Sequence, residues 1–286
     1  MASNALTRIA CVQMDIQFGD RAGNSQRIID NIHALSSQNV DIVVFPECSI
    51  GGYCIDNAEQ RAEIGITADS EYIRSIQTAV DETGVHTIFG FAESDGEDYY
   101  NTAALLAPQE VPRFYRKTHL PELGYDRFVK LGNEFPVFDT KFGKIGILIC
   151  FDIRFPEASR ILALQGADAI ILPTNWPKGA DVSADVLAVA RAVENKVYMI
   201  TCNRVGTERG FNFIGKSKII SPMGVVLDSG ESEYKVLLAD LDLSESRNKR
   251  NITIPGKHET TVFESRRPEL YELILRHTVQ IASKTQ

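Results

Sequence analysis

The sequence predicts an α/β protein of paired β-sheets with helices packed outside them. Three observations carry this expectation. Short apolar runs alternate with segments whose apolar residues recur at helical spacing. The alternation is played twice, before and after Gly143. A series of short strands separated by turn residues then follows. Periodicity of this kind gives the elements and the layer type and leaves strand order open.

Taken in order, Arg8 to Met14 reads as a buried strand and Asn24 to Ser36 as a helix, with Ile28, Ile29, Ile32 and Leu35 on one face. Asp41 to Phe45 is a second strand that runs into Pro46-Glu47. Gly51 to Gly65 is irregular, Ser70 to Thr83 helical, and His86 to Phe91 and Ala103 to Ala107 are strands. Pro112 to Arg116 leads into Lys117-Thr118-His119-Leu120-Pro121. The apolar run from Gly143 to Ile149, opened by glycines, suits a strand buried on both faces. Pro156 fits the first turn of a helix and Glu157 its positive end, so a helix is expected over about Pro156 to Gln165. Ala167 to Leu172 is a strand, Ser183 to Asn195 a helix and Val197 to Thr201 a strand. Beyond Phe211 the pattern turns antiparallel, with Gly215 to Ile220, a Pro222-Met223-Gly224 turn, Val225 to Leu227 and Tyr234 to Leu241. No repeat, low-complexity tract or linker interrupts the chain. One domain is therefore expected over 1–286, with a polar, Pro-punctuated C-terminal extension from about 251 holding one helix near Pro268 to Thr278.

Bulk properties narrow the function classes. The chain has 286 residues, 44% hydrophobic and 24% charged, enough for a substantial core. A formal net charge of −8 argues against nucleic acid or an anionic membrane as partner. The short basic cluster Arg247-Asn248-Lys249-Arg250 reads as a solvated helix end. Five cysteines (Cys11, Cys48, Cys54, Cys150 and Cys202), mostly in apolar runs, fit free thiols in a reducing compartment rather than a disulfide framework. No histidine or second cysteine pair stands at ligand spacing to Cys48 and Cys54, so no metal is expected. The start has no apolar signal region and no stretch approaches membrane-spanning length. The expectation is a soluble, cytoplasmic, metal-free protein.

Three residues at strand ends suggest chemistry. Cys150 lies at a strand-to-helix junction, where a thiol can be polarised toward thiolate and aimed at a small electrophile. Glu47 and Lys117 each end another apolar strand, and in parallel α/β sheets the carboxyl ends of strands share one rim. Singly, each has a plainer role: a helix-start acid, a surface cation, a core filler. Together they supply what amide chemistry needs. A carboxylate takes the thiol proton, and a fixed cation with a backbone N–H stabilises the oxyanion that attack creates. Histidine is the commoner base for cysteine, but of His33, His86, His119, His258 and His277 only His119 falls near the rim, where it reads as a loop-shaping residue.

The segments Phe45-Pro46-Glu47, Tyr115-Arg116-Lys117-Thr118-His119-Leu120-Pro121 and Cys150-Phe151-Asp152-Ile153-Arg154-Phe155-Pro156-Glu157 resemble those of the nitrilase superfamily of carbon–nitrogen hydrolases. The resemblance continues in order through Leu172 to Pro177, Arg191 to Asn195, Asn203 to Gly206 and Ser221 to Gly224. It implies a four-layer αββα sandwich and a catalytic centre without cofactor. Glu47 would be the general base, Lys117 the oxyanion stabiliser and Cys150 the nucleophile, with the backbone N–H of Phe151 completing the oxyanion site. A thioester intermediate and a homodimer or higher homo-oligomer are further implications. Many members carry a second glutamate seven residues before a glycine that corresponds here to Gly132. The count lands on Tyr125, flanked by Glu122 and Asp126, either of which is a candidate.

The residues after the nucleophile resemble the amidase side of the superfamily, which points to a small linear amide as substrate; an N-carbamoyl compound or a nitrile is the alternative. Tyr53, Phe151, Asn175 and Trp176 are pocket-wall candidates, with core packing as the plainer role of the Phe151 ring. Asp152 and Arg154 are expected to hold the junction together, and Arg191 and Glu194, three apart on a helix, to form a structural ion pair. Two rivals remain: a catalytically quiet assembly or binding protein on the same fold, and a Cys–His hydrolase on another.

Overall fold

The computed structural model of the protein describes residues 6–275. Its strands are β1 (Thr7–Gln13), β2 (Ile42–Val44), β3 (His86–Asp95), β4 (Asp98–Leu106), β5 (Arg113–Arg116), β6 (Val137–Asp139), β7 (Lys144–Ile147), β8 (Ala169–Thr174) and β9 (Tyr198–Asn203). A small ribbon, β10 (Thr207–Glu208) and β11 (Phe211–Asn212), precedes β12 (Lys218–Ile220), β13 (Val226–Ser229) and β14 (Lys235–Leu241). The helices are α1 (Arg21–Ser36), α2 (Arg61–Ile64), α3 (Glu71–Thr83), α4 (Pro156–Leu164) and α5 (Ala188–Asn195), the last entered through a π turn at Ser183–Leu187.

Two six-stranded sheets result, ordered β14-β1-β2-β3-β4-β5 and β13-β12-β9-β8-β7-β6. Each has a parallel centre, β1-β2-β3 in one and β7-β8-β9 in the other, flanked by antiparallel strands. The αββα sandwich predicted from the sequence is the fold observed. The inner faces meet at β1 and β9, where the buried Cys202 thiol donates to the carbonyls of Val44 (3.2 Å) and Val12 (3.5 Å). Ile28, Ile32 and Leu35 of α1 and Ile73, Ile76, Ala79 and Val80 of α3 bury on the first sheet against Val12, Val43, Phe89 and Phe91. Large side chains of this kind each contribute roughly 1.5–3 kcal/mol when fully buried. Ser70 starts α3 by accepting from the Ile73 N–H, and Gly84 ends it at φ +76°.

The chain divides into two compact units between Arg247 and Asn248. The second contains a hairpin, β15 (Arg250–Ile254) with β16 (His258–Thr261), followed by 3-10 turns at Pro268–Leu270 and Glu272–Leu275. The tail thus differs from the expected single helix near Pro268 to Thr278, of which residues 276–278 lie outside the described residues. Neither turn buries a residue, and a short helix with nothing to pack on does not recover its nucleation cost. The basic cluster does begin at a helix end, the last residue of a 3-10 turn at Leu243–Arg247. Arg247 reaches the Asp168 carboxylate (3.1 and 3.2 Å) and Arg250 opens β15. Among the described residues no helix is long and apolar enough to cross a membrane.

The path of the chain after β2 is fixed by one close approach. Residues 46–49 lie across β3, with Gly90 N donating to the Pro46 carbonyl (3.0 Å) and Ser49 N to the Gly90 carbonyl (2.7 Å). A Cβ on Gly90 would stand 2.6 Å from both Glu47 Cα and Cys48 N, atoms of backbone that cannot swing aside. Gly90→Ala is therefore expected to lose roughly 1–3 kcal/mol of stability and to displace Glu47. A lowered urea midpoint measures the first effect, and loss of activity in the remaining folded protein measures the second.

Candidate active site

Lys117 follows β5 directly and is pinned through its backbone, its N–H donating to the Asn101 carbonyl and its own carbonyl accepting from Gly132 N (both 2.8 Å). Its side chain is completely buried, and Nζ donates to Glu47 Oε1 (2.7 Å) and to Asp126 Oδ2 (2.6 Å). Asn101, from the buried part of β4, joins the same two carboxylates, its Nδ2 lying 2.7 Å from Glu47 Oε1 and 2.7 Å from Asp126 Oδ1. The Tyr53 phenol adds a donor to Asp126 Oδ2 (2.8 Å). One ammonium is thus shared by two carboxylates in a dry setting, with every oxygen engaged except Glu47 Oε2, which is buried without a partner.

Cys150 follows β7 and opens a 3-10 turn (Cys150–Arg154) that leads into α4. Its φ of +44° lies in the left-handed region, a strained conformation that the surroundings must hold. Asp152 holds it. Its buried carboxylate accepts from Ile149 N (2.9 Å) on the turn, and from Tyr115 OH (2.7 Å), Thr118 Oγ1 (3.2 Å) and His119 N (3.1 Å) on the segment that carries Lys117. His119 Nδ1 is also 2.8 Å from Asp152 Oδ1, and the imidazole stacks on Phe155 at 3.7 Å. Arg191 braces the turn from α5, donating to the Ile153 carbonyl (3.0 Å) while pairing with Glu194 (2.9 Å). One carboxylate therefore ties the lysine segment to the cysteine turn.

Burial first, then the Glu47 charge, pushes the Cys150 thiol well above its ordinary pKa; Lys117 and a hydrogen bond from the Asn175 N–H oppose this. The resting sulfur is a thiol, not the thiolate that its place at a helix start suggests, because desolvation outweighs the local donors. Burial also raises Glu47 above the usual carboxylate range against the pull of Lys117. Burial alone would lower Lys117, but Asp126 and Glu47 outweigh it, and the ammonium persists well above its usual range. The cluster thus contains a fixed cation and a carboxylate of raised basicity, and the charges of both act on the Cys150 thiol.

Of the two carboxylates flanking Tyr125, Asp126 is in the cluster and Glu122 is exposed. Tyr53 is buried with its phenol on Asp126, and Phe151 packs edge-on against Phe155 at 5.4 Å. Asn175 is completely buried with neither side-chain polar atom partnered, and Trp176 is buried beside it, its backbone N–H donating to Asn203 Oδ1 (2.8 Å). Arg154, by contrast, is exposed. The residue that sequence reading passed over is Asn101, which lies just before the apolar run from Ala103 and begins the buried part of β4. Among the described residues no group of three or more His, Cys, Asp or Glu side chains could hold a metal ion.

Comparison with known proteins places the chain. Residues 8–251 match the carbon–nitrogen hydrolase family. The chain belongs to the carbon–nitrogen hydrolase family. A nitrilase of Pyrococcus abyssi is 38% identical over 93% of this hydrolase and 99% of its own length. The 2-oxoglutaramate amidase of Bacillus subtilis is 33% identical over 92% and 98%. Among solved structures, a cysteine-to-alanine variant of the Nesterenkonia AN1 amidase superposes with a TM-score of 0.78 at 24% identity, covering 95% of this chain and 98% of that one. Another structure of that amidase contains the acetamide moiety of fluoroacetamide added covalently at its active-site cysteine. This hydrolase is accordingly an amidase-type enzyme of the nitrilase superfamily.

The dependence on Asp152 is testable by stability alone. Asp152→Ala strands the buried Ile149 N–H and leaves the Tyr115 hydroxyl only Thr118 Oγ1 (3.1 Å), and is expected to cost about 3 kcal/mol in urea unfolding. A variant as stable as the parent would show that the two segments are held together by other contacts.

Proposed function

We propose that the chain hydrolyses the C–N bond of a small linear amide through a thioester on Cys150. The observation that carries this reading is the partnerless Glu47 Oε2, in a buried carboxylate whose other oxygen holds the Lys117 ammonium and whose charge acts on a thiol that burial keeps protonated. A protonated thiol needs a base at the moment of attack, and a dry carboxylate of raised basicity is suited to be one.

In this reading Glu47 Oε2 takes the Cys150 proton as sulfur bonds to the amide carbon. The carbonyl oxygen becomes an oxyanion held by Lys117 Nζ and the Phe151 N–H. Glu47 returns the proton to the nitrogen, the C–N bond breaks and ammonia or an amine leaves. Water then gives a proton to Glu47 and attacks the thioester, releasing the acid and restoring the thiol. Asp126 takes the part of the family's second glutamate: with Asn101 and Tyr53 it fixes Lys117 and keeps the ammonium charged. The unpartnered carboxamide of Asn175, with Tyr53, Phe151 and Trp176, contributes to the substrate pocket. Amidases among the relatives support an amide, and the relatives named nitrilases make a nitrile the alternative substrate that the screen below must include.

An ammonia-release screen across linear amides, N-carbamoyl compounds and nitriles tests the proposal, with Cys150→Ala as the blank. Turnover of amides by the parent and none by the variant is expected; amide turnover that survives in Cys150→Ala would sink it. Glu47→Gln is expected to lower kcat by roughly 10²–10⁴-fold with the fold intact. The pH dependence has a definite sign. Glu47 works as its carboxylate, so kcat/KM should fall on acidification with an apparent pKa above the ordinary glutamate value of 4.5. Asn101→Leu removes a hydrogen bond that favours the ionised form, and should move that limb to still higher pH. A limb left in place by Asn101→Leu would mean that another group controls it.

A further inference from the structure

We propose that the buried Arg204–Glu208 pair is a positioning device for Lys117, acting through the backbone at Tyr53 and the Tyr53 phenol without touching substrate. The inference extends the amide-hydrolase reading, from which it takes its assay.

Glu208 lies in β10, just beyond the end of β9 in the second sheet, yet its carboxylate closes on the irregular loop that follows β2 in the first half of the chain. Oε1 accepts from both Tyr53 N (2.8 Å) and Cys54 N (2.5 Å). Oε2 faces Arg204 Nη1 and leaves a Cβ on Gly52 only 3.0 Å of room, at a residue whose φ is +92°. Arg204 is itself completely buried. Its Nη2 donates to the Ile16 carbonyl (2.7 Å) and Asp15 Oδ1 (3.0 Å), and its guanidinium lies 4.3 Å from the Phe213 ring centre. The loop therefore has the orientation of Tyr53 dictated by a side chain from the other half of the molecule. The phenol then reaches Asp126 Oδ2 (2.8 Å), the same oxygen that receives the Lys117 ammonium (2.6 Å).

Energetics favour a directional role over a merely cohesive one. A buried ion pair loses much of its Coulombic gain to desolvation, and apolar side chains of similar size often stabilise as well. An apolar pair, however, supplies no acceptor for two adjacent backbone N–H groups. What the carboxylate uniquely provides is reach and direction.

That distinction sets the experiment. Glu208→Asp keeps the charge opposite Arg204 but withdraws the acceptor from Tyr53 and Cys54; Glu208→Gln keeps the reach and gives up the charge. The proposal expects Glu208→Gln to retain most of kcat. It expects Glu208→Asp to lose about 10²-fold, the scale of a displacement near 1 Å, with KM little changed. The opposite ranking, or Glu208→Asp at full kcat, overturns it. A second arm covers a Glu208→Gln protein that fails to fold: in a Tyr53→Phe background Glu208→Asp should cost little further, whereas an undiminished additional loss overturns the route through the phenol. The rate at which iodoacetamide alkylates Cys150, followed by intact mass with Cys150→Ala as control, should rank the variants in the same order. That readout needs no substrate. A wild-type protein that turns over no amide would defeat the functional reading while leaving the alkylation order to decide the role of Glu208.

Discussion

The structure around the site depends on one ammonium held between two carboxylates out of contact with water. Lys117, Glu47 and Asp126 are each buried, and none could be ionised there alone at an acceptable cost. Lys117 is held charged by the two acids, and Asn101 and Tyr53 add donors to them, leaving Glu47 Oε2 alone without a partner among the four carboxylate oxygens. The same dryness keeps the Cys150 sulfur protonated and lifts the basicity of Glu47. In the mechanism proposed above, this enclosure sets a protonated thiol and a carboxylate of raised basicity in the same dry setting, as proton donor and proton acceptor for the attack.

Strand direction brings these groups to one place. β2 runs parallel to β3, β4 and then β5 each reverse, and β5 consequently points the same way as β2. Glu47 and Lys117 thus leave the same end of the first sheet. Cys150 leaves the carboxyl end of β7 in the second, and Asp152 fastens that departure to Tyr115 and Thr118 beside the lysine. The rest of the scaffold can be read as the apparatus that keeps two strand ends from different sheets in register with each other.

Much of this was legible in the chain itself, and for physical reasons. Runs such as Ala169–Thr174 and the 3.6-residue spacing of Ile73, Ile76 and Val80 report burial directly, so layers and elements could be read from them. Glu47, Lys117 and Cys150 stood out because each ends an apolar strand with a reactive group. What escaped was contact between residues distant in sequence. Nothing local distinguishes Asp126 from Glu122, since only the path of the chain past Gly124 decides which carboxylate is buried. Asn101 and Glu208 owe their roles to partners 25 to 155 positions away. The thiol's protonation state also eluded local reasoning, because a helix-start motif signals donors but not the desolvation that overrides them. In the tail, the turn at Pro255-Gly256 was the sign of a hairpin, and its exposed isoleucines gave no periodic stripe by which to recognise it.

The strand β14 crosses back from the second half of the molecule to lie along β1, matching Thr7 with Leu241 and Gln13 with Lys235. Strand β1 is synthesised well before β14 and so waits for its full complement of neighbours, and until then its flank is open to any other extended segment. Neither half is a finished object on its own: the sheet of the first half carries a raw edge at β1 that β14 seals. Nascent chains cut short before that return would be candidates for chaperone capture rather than half-sized enzymes.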